Sequence, residues 1–139
     1  MSAVADNIAA FLDSQKVGAI ATVSADGRPR QSIVYFARAG DRILISTEAG
    51  RLKARDVERT GWASLCVRGD EAPFPSATVA GPARIRTEAI GADNALVMQR
   101  ILGADEPPEP LTDEALADVG RVLLEIEVER VGPVLYIEP

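Results

Sequence analysis

The sequence contains no histidine and a single cysteine, Cys66. Without histidine, Ser-His-Asp triads, histidine acid–base catalysis and histidine-ligated metals are excluded. A single cysteine forms no intrachain disulfide and no cysteine metal site. Because Cys66 lies inside an apolar run, we expect it to be a small buried residue without a redox role.

Long apolar runs are also lacking. No stretch approaches the roughly 18 apolar residues needed to span a bilayer, and no basic region followed by an apolar core opens the chain. We therefore expect a cytoplasmic protein without a membrane partner. Lysine is scarce as well, since Lys16 and Lys53 are the only two and every other basic residue is arginine.

The overall composition is that of a globular protein. The chain has 139 residues, of which 47% are hydrophobic and 26% charged. This length predicts one domain over residues 1–139. The net charge is −6 and the pI about 4.7, so general affinity for nucleic acid is not expected, because that affinity needs clustered positive charge.

Three cations nevertheless cluster in the chain. Arg51, Lys53 and Arg55 open a predicted helix that follows a short buried strand and a turn containing Gly50. A helix N-terminus carries roughly half a positive charge and favours anions. Arg51 and Arg55 also stand four residues apart, where like charges cost about 0.2–0.5 kcal/mol if both are helical. A bound phosphate would offset both the unfavourable helix-end charge and the repulsion between the cations, because N–H groups and basic side chains converge on it.

The alternative is that these cations form a solvated helix face. Surface charges are screened by water and contribute little to stability. In that interpretation neighbouring carboxylates offset them, and these are Glu48, Asp56 and Glu58.

Apolar periodicity and turn residues predict a mainly β protein with helices. Six strands are predicted, at residues 17–24, 31–38, 42–47, 62–67, 76–87 and 122–129. Three helices are predicted, from a cap at Ser2 or Asp6 to residue 16, over 51–59 and over 90–102, and Thr112 is a candidate cap for a short fourth. Short strands joined by tight turns favour a closed or partly closed barrel.

Local patterns add further expectations. The Gly81-Pro82 pair predicts a bulge or bend within its strand. The strand at 31–38 shows no clear solvent face, which is typical of a strand covered on both faces. In the strand at 122–129, the glutamates are expected to point away from the apolar side chains. The helix at 90–102 is expected to bury Leu96, Val97, Ile101 and Leu102.

Four passages, taken in order and spacing, resemble the flavin- and deazaflavin-binding split β-barrel superfamily, whose name-giving member is pyridoxamine 5′-phosphate oxidase. The passages are residues 20–29, 31–34, 45–55 and 62–67. The Arg-x-Lys-x-Arg spacing in the third looks most like the actinobacterial branch that binds the deazaflavin coenzyme F420. The resemblance implies a six-stranded split barrel and a homodimer with cofactor sites at its interface.

The same resemblance implies the cofactor-binding residues. The strand after the Asp-Gly turn would line the ring of the cofactor, with Gln31, Ser32, Ile33 and Val34. The residues around the third strand and the following helix would hold its phosphate, namely Ser46, Thr47, Arg51, Lys53 and Arg55. From the residues alone, Gln31 and Ser32 are equally consistent with polar positions that complete a sheet face, and Tyr35 with a core or interface aromatic.

The function implied by the resemblance is an oxidoreductase in which reduced F420 transfers a hydride to a small organic acceptor, such as an enone, quinone or tetrapyrrole. The cofactor carries this chemistry, so no catalytic side chain is assigned and no metal is expected. FMN in the same fold is one alternative, and a non-catalytic flavin- or deazaflavin-binding protein is another. A small β-barrel interaction domain is a third. Pyridoxal phosphate synthesis is disfavoured, because the final residues lack the basic segment it would require.

Overall fold

The computed structural model describes residues 2–132 and 134–136 and has nine strands and four helices in that part of the chain. The strands are β1 (Val17–Val23), β2 (Pro29–Tyr35), β3 (Ala37–Ala39), β4 (Arg42–Glu48), β5 (Trp62–Arg68), β6 (Pro75–Arg86), β7 (Arg121–Glu127), β8 (Arg130–Val131) and β9 (Leu135–Tyr136). The helices are α1 (Asp6–Asp13), α2 (Leu52–Thr60), α3 (Gly91–Leu102) and α4 (Asp113–Asp118).

All the strand pairs are antiparallel, and the main strand order is β2-β1-β5-β6-β7-β4-β3. The long strand β6 connects the two halves, because it pairs with β5 through Pro82 and with β7 from Ala83 onward. A Cβ on Gly81 would lie 1.8 Å from the carbonyl oxygen of Glu127. The change of partner therefore falls at the Gly81-Pro82 pair, where the sequence predicted a bulge or bend.

The main core lies between the two halves of the sheet and is built from alternating strand residues such as Ile20, Leu65 and Val79. A second apolar cluster lies where α3 and α4 pack on β4 and β7, and it includes Leu44 and Leu123. Because β4 and β7 are covered on both faces, their residues are buried in long runs rather than in alternation.

The six long strands coincide with the predicted ones, but the predicted strand at 31–38 is two strands, β2 and β3, separated at Phe36. The prediction that this strand is covered on both faces was wrong. β2 lies at one end of the strand order, and Gln31, Ser32 and Ile33 are exposed, Ile33 by 72%. The sequence pattern shows no clear solvent face because apolar residues of this strand are exposed, not because both of its faces are buried.

Glu125 in β7 points away from Leu124 and Ile126, as the alternation predicted, but it is only 4% exposed, and Arg42, Arg84 and Arg86 neutralise it. The prediction that Cys66 is buried was wrong. Cys66 is exposed, since its neighbours Leu65 and Val67 take the inward positions of β5.

The helices show smaller differences. The N-cap of α1 is Ala5, without a side-chain cap, and Ser2 donates a hydrogen bond to Asp41 instead. In α3, Ile101 and Leu102 are exposed, contrary to the prediction. The Thr112 cap is confirmed, because its hydroxyl accepts a hydrogen bond from the Ala115 N–H. None of the four described helices is long and apolar enough to cross a membrane.

Candidate functional site

A cavity of about 390 Å³ lies beside the ends of β2 and β4 and the start of α2. We call it the basic cavity. Its lining residues are Ile33, Val34, Tyr35, Ser46, Thr47, Glu48, Arg51, Lys53, Ile101 and Arg121. Ile33, Val34 and Tyr35 therefore come from β2 and Ile101 from α3, whereas the charged side chains and the Ser46 and Thr47 hydroxyls come from β4, the start of α2 and β7.

The pairing of β4 with β7 places the polar wall. Thr47 pairs with Val122 and Glu48 with Arg121, so the arginine that opens β7 lies beside the last residue of β4. The chain then turns through Gly50, whose φ of +86° lies in the left-handed region that glycine adopts readily. The Arg51 N–H donates to the carbonyl of Glu48, and α2 begins one residue later.

Arg51 is the N-cap of α2 and not a helical residue, since its φ and ψ are −59° and 147°. The expected repulsion between two helical arginines at positions 51 and 55 therefore does not arise. The helix N-terminus has no side-chain cap and no acidic residue in its first turn. The first N–H groups of a helix have no partner within the helix, and its N-terminus carries a partial positive charge, so this end of α2 suits an anion.

Two polar residues of the wall, the buried Thr47 and the half-buried Lys53, have no side-chain partner among the residues that the structure describes. Thr47 is 5% exposed and lines the cavity. No described residue hydrogen-bonds its hydroxyl, which remains accessible from the cavity. No carboxylate of the described residues lies within 4.0 Å of the Lys53 ammonium. Burial, together with the charge of Arg51, lowers the pKa of Lys53. Both groups are suited to a ligand that accepts hydrogen bonds and carries negative charge.

One anion already lies in the basic cavity. A carboxylate oxygen of Glu48 is 3.4 Å from the guanidinium of Arg51, and the other is 3.9 Å from that of Arg121. With Lys53, the wall thus carries three cations and one carboxylate.

A buried carboxylate outside the cavity holds α2 in place. Asp56, which is 2% exposed, accepts hydrogen bonds of 2.8 Å from the hydroxyl of Thr22 on β1 and from Nε of Arg30 on β2. Arg59 of α2 adds an ion pair. Burial raises the pKa of Asp56, but the hydrogen bonds from Arg30 and Thr22 outweigh burial, and the net pKa is lowered.

The structure brings together six of the nine predicted site residues. Ile33, Val34, Ser46, Thr47, Arg51 and Lys53 line the basic cavity. Gln31 and Ser32 are exposed on β2 but do not line it, and Arg55 is exposed on α2 outside it. Arg55 follows Lys53 by two residues, which on a helix is about 200° of rotation, so the two side chains cannot share one face.

Four lining residues were missed, namely Tyr35, Glu48, Ile101 and Arg121. Arg121 is far from the others in sequence and reaches the cavity only through the register of β7 on β4. In the sequence, Gly120 and Arg121 mark the start of the predicted strand at 122–129, but they do not specify which strand pairs with it.

A family model described as pyridoxamine 5′-phosphate oxidase matches residues 4–135. The chain belongs to the pyridoxamine 5′-phosphate oxidase family. Among curated proteins, none matches this chain. Membership confirms the split-barrel superfamily recognised from the sequence and its mainly β fold.

Solved structures give the same fold. The conserved hypothetical protein Rv2991 from Mycobacterium tuberculosis is 27% identical, with a TM-score of 0.70 over 90% of this chain and 80% of that one. A structure described as an F420 reductase is 22% identical, with a TM-score of 0.69 over 88% of this chain and 94% of that one. The haem storage protein HutZ from Vibrio cholerae is 18% identical, with a TM-score of 0.68 over 96% of each chain. At these last two identities, the likeness shows only the fold.

The outer sheet face next to the basic cavity carries exposed apolar side chains. The outer face of β2, β1 and β5 exposes Val17, Ile33, Tyr35 and Trp62. A second cavity of about 370 Å³ lies on this face and shares Ile33 with the basic cavity. The basic cavity therefore lies beside an exposed apolar sheet face.

Proposed function

We propose that this protein is an oxidoreductase that binds reduced F420 and transfers a hydride from it to a small organic acceptor of the enone, quinone or tetrapyrrole type. The observation that carries the proposal is the polar wall of the basic cavity. There an uncapped helix N-terminus, the hydroxyl of the largely buried Thr47 and the ammonium of Lys53 lie together, and no described residue pairs with either side chain. This donor set fits a phosphate, which both deazaflavin and flavin cofactors carry.

In this proposal Lys53, Arg51 and Arg121 bind the phosphate, and the hydroxyls of Ser46 and Thr47 donate hydrogen bonds to it. The bound cofactor supplies the hydride. Ile33 and Val34 offer an apolar wall on the β2 side, and Gln31 and Ser32 are the next residues along that strand for contact with the ring. Arg55 has no direct contact with the phosphate in this arrangement, which makes it a useful control.

The same wall accepts FMN, so an FMN-dependent reductase or oxidase of this family is the alternative cofactor assignment. The Arg-x-Lys-x-Arg spacing and the shared fold with an F420 reductase support F420. We prefer F420 on those two grounds.

We also propose a homodimer formed through the outer face of β2, β1 and β5. Exposed large apolar side chains in a contiguous sheet face mark an interaction surface. Ile33 belongs both to this face and to the basic cavity, so a partner seated here would lie against the cofactor. Sedimentation of the wild type and of Ile33→Lys tests this, with dimer expected for the first and monomer for the second.

A non-catalytic binding or storage protein is the second candidate function. The fold shared with a haem storage protein favours it. Turnover assays with reduced F420 and a panel of enones, quinones and tetrapyrroles separate the two candidates. Tight cofactor binding without reduction of any acceptor would support storage.

The experiment that tests the proposed site is a fluorescence titration of F420 and, separately, FMN into wild-type protein, Lys53→Ala and Arg55→Ala. We expect micromolar F420 binding, weaker FMN binding and at least a tenfold loss in Lys53→Ala, because one charge-assisted contact is removed. Arg55→Ala carries the same charge change on the same helix and should bind as the wild type does. Binding of neither cofactor to the wild type would refute the proposed function.

A further inference from the structure

Glu48 lies in the basic cavity among the groups proposed to bind phosphate. Its carboxylate lies between Arg51 and Arg121, at 3.4 and 3.9 Å, and 48% of its side chain is exposed. Its position follows from the strand register, because Glu48 ends β4 directly opposite Arg121. The carboxylate thus lies where a bound anion would meet the same two arginines.

These two ion pairs are loose compared with others in the molecule. In the buried cluster around Glu125, arginine nitrogens lie 2.7 Å from the carboxylate oxygens. Charge-assisted hydrogen bonds usually have lengths of about 2.7–2.9 Å, so the contacts of Glu48 with Arg51 and Arg121 are long-range attractions and not formed hydrogen bonds. An exposed side chain held this weakly gives way to a ligand at little cost.

We propose that Glu48 is an internal counter-ion of the phosphate site that lowers the preference of the site for a doubly charged over a singly charged phosphate. It offsets one of three cations in the free protein. When a ligand arrives, the Glu48 carboxylate moves off the arginines but stays close enough to repel the bound group. This inference deepens the proposed function and rests on its phosphate site.

The repulsion scales with the charge of the ligand. A phosphodiester carries one negative charge, whereas a phosphate monoester carries nearly two above its second pKa of about 6. Glu48 therefore penalises a monoester about twice as strongly, in free energy, as a diester. The site is shifted toward diesters such as the F420 phosphate and away from monoesters such as FMN.

The test uses two small anions that lack a ring, so that it does not depend on which cofactor binds. Methyl phosphate is the dianionic monoester, and dimethyl phosphate is the monoanionic diester, both at about pH 8. Amide shifts of Thr47 and Lys53 in isotope-labelled protein report their binding. The variants are Glu48→Gln and, as matched control, Glu58→Gln, an exposed residue of α2 that does not line the cavity.

We expect Glu48→Gln to tighten the binding of dimethyl phosphate roughly threefold and that of methyl phosphate roughly tenfold. Doubling the ligand charge doubles the free-energy change, so the fold-change in affinity for the dianion is the square of that for the monoanion. Glu58→Gln should change neither by as much as twofold. Equal tightening of both anions, weaker binding, or no binding in any variant would overturn the inference. If the anions behave as expected but neither F420 nor FMN binds, the proposed function fails while the role of Glu48 stands.

Discussion

Nε of Arg30 donates a 2.8 Å hydrogen bond to Oδ2 of Asp56 and so joins β2 to α2. Both elements line the basic cavity, since β2 contributes Ile33 and Val34 and α2 is preceded by Arg51 and contains Lys53. Asp56 itself is buried and lies outside the cavity. A carboxylate that does not line the cavity therefore links the strand that supplies apolar lining residues to the helix that supplies cations.

Asp56→Asn should both destabilise the protein and weaken cofactor binding. It leaves Arg30 and Arg59 without their shared anion, and we expect a loss of about 2–3 kcal/mol in the free energy of unfolding. F420 affinity should fall several-fold at a temperature where the variant is still folded, because α2 is no longer held against β2. Urea unfolding and fluorescence titration measure the two effects, with the exposed Asp118→Asn as control. Destabilisation with unchanged affinity would show that Asp56 does not position the cavity.

Glu125→Gln should destabilise the protein without changing the basic cavity. Glu125 accepts hydrogen bonds from Arg42 and Arg84 at 2.7 Å and from Arg86 at 3.1 Å, and Asp93 of α3 shares two of these arginines. Because two of the three arginines are partly exposed, we expect a loss of about 2–3 kcal/mol in unfolding free energy. The matched control is Glu127→Gln, two residues along β7 and exposed. Equal unfolding midpoints for the two variants would contradict this role.

The arginine network around Glu125 also predicts how the unfolding free energy depends on pH. Burial raises the pKa of Glu125, but the hydrogen bonds from Arg42 and Arg84 outweigh it, and the net pKa is lowered from 4.5. A carboxyl with a lowered pKa in the folded protein stabilises it above the unfolded value, and this contribution is lost as pH falls through the folded value. Wild-type unfolding free energy should therefore fall below about pH 4.5, and less steeply in Glu125→Gln.

Much of the fold was predictable from the sequence, because strands and turns leave local signals. The Asp-Gly turn and the period-two runs located the six long strands within a few residues. The burial of Glu125 was not predictable in this way, since its three arginines reach it from β4 and β6 through long-range pairing. A glutamate in a strand predicts a solvent face unless those partners are known.

The site shows the same division between local and long-range information. Ser46, Thr47, Arg51 and Lys53 lie close together in sequence, and the helix signal was enough to group them. Arg55 was grouped with them through the Arg-x-Lys-x-Arg spacing of the family resemblance, although it does not line the cavity, and its cofactor role remains a prediction. Glu48 and Arg121 meet through strand register, which sequence periodicity does not specify.

Gly81→Ala tests the point where β6 passes from one half of the sheet to the other. Its Cβ would lie 1.8 Å from the carbonyl oxygen of Glu127, so the backbone of one strand must move. We expect a loss of about 3 kcal/mol or a failure to fold. Gly132→Ala is the control, because among the described residues outside its chain neighbours its Cβ would meet no atom closer than 3.6 Å. Thermal unfolding of both variants measures the difference, and a Gly81→Ala protein as stable as the control would refute the close contact.

As the pH rises, phosphate binding should begin to weaken at a lower pH than it would with a lysine of ordinary pKa. Burial and the nearby Arg51 charge lower the pKa of Lys53 in the free protein. A bound phosphate favours the charged ammonium, so above that lowered pKa binding must take up a proton and affinity falls. In Lys53→Arg the guanidinium stays charged throughout, and this decline should disappear. Titrations of F420 from about pH 7 to about pH 10 compare the two proteins, and the ratio of their affinities removes the cofactor's own ionisation. Parallel pH profiles for the two proteins would show that the Lys53 ammonium does not contact the bound phosphate.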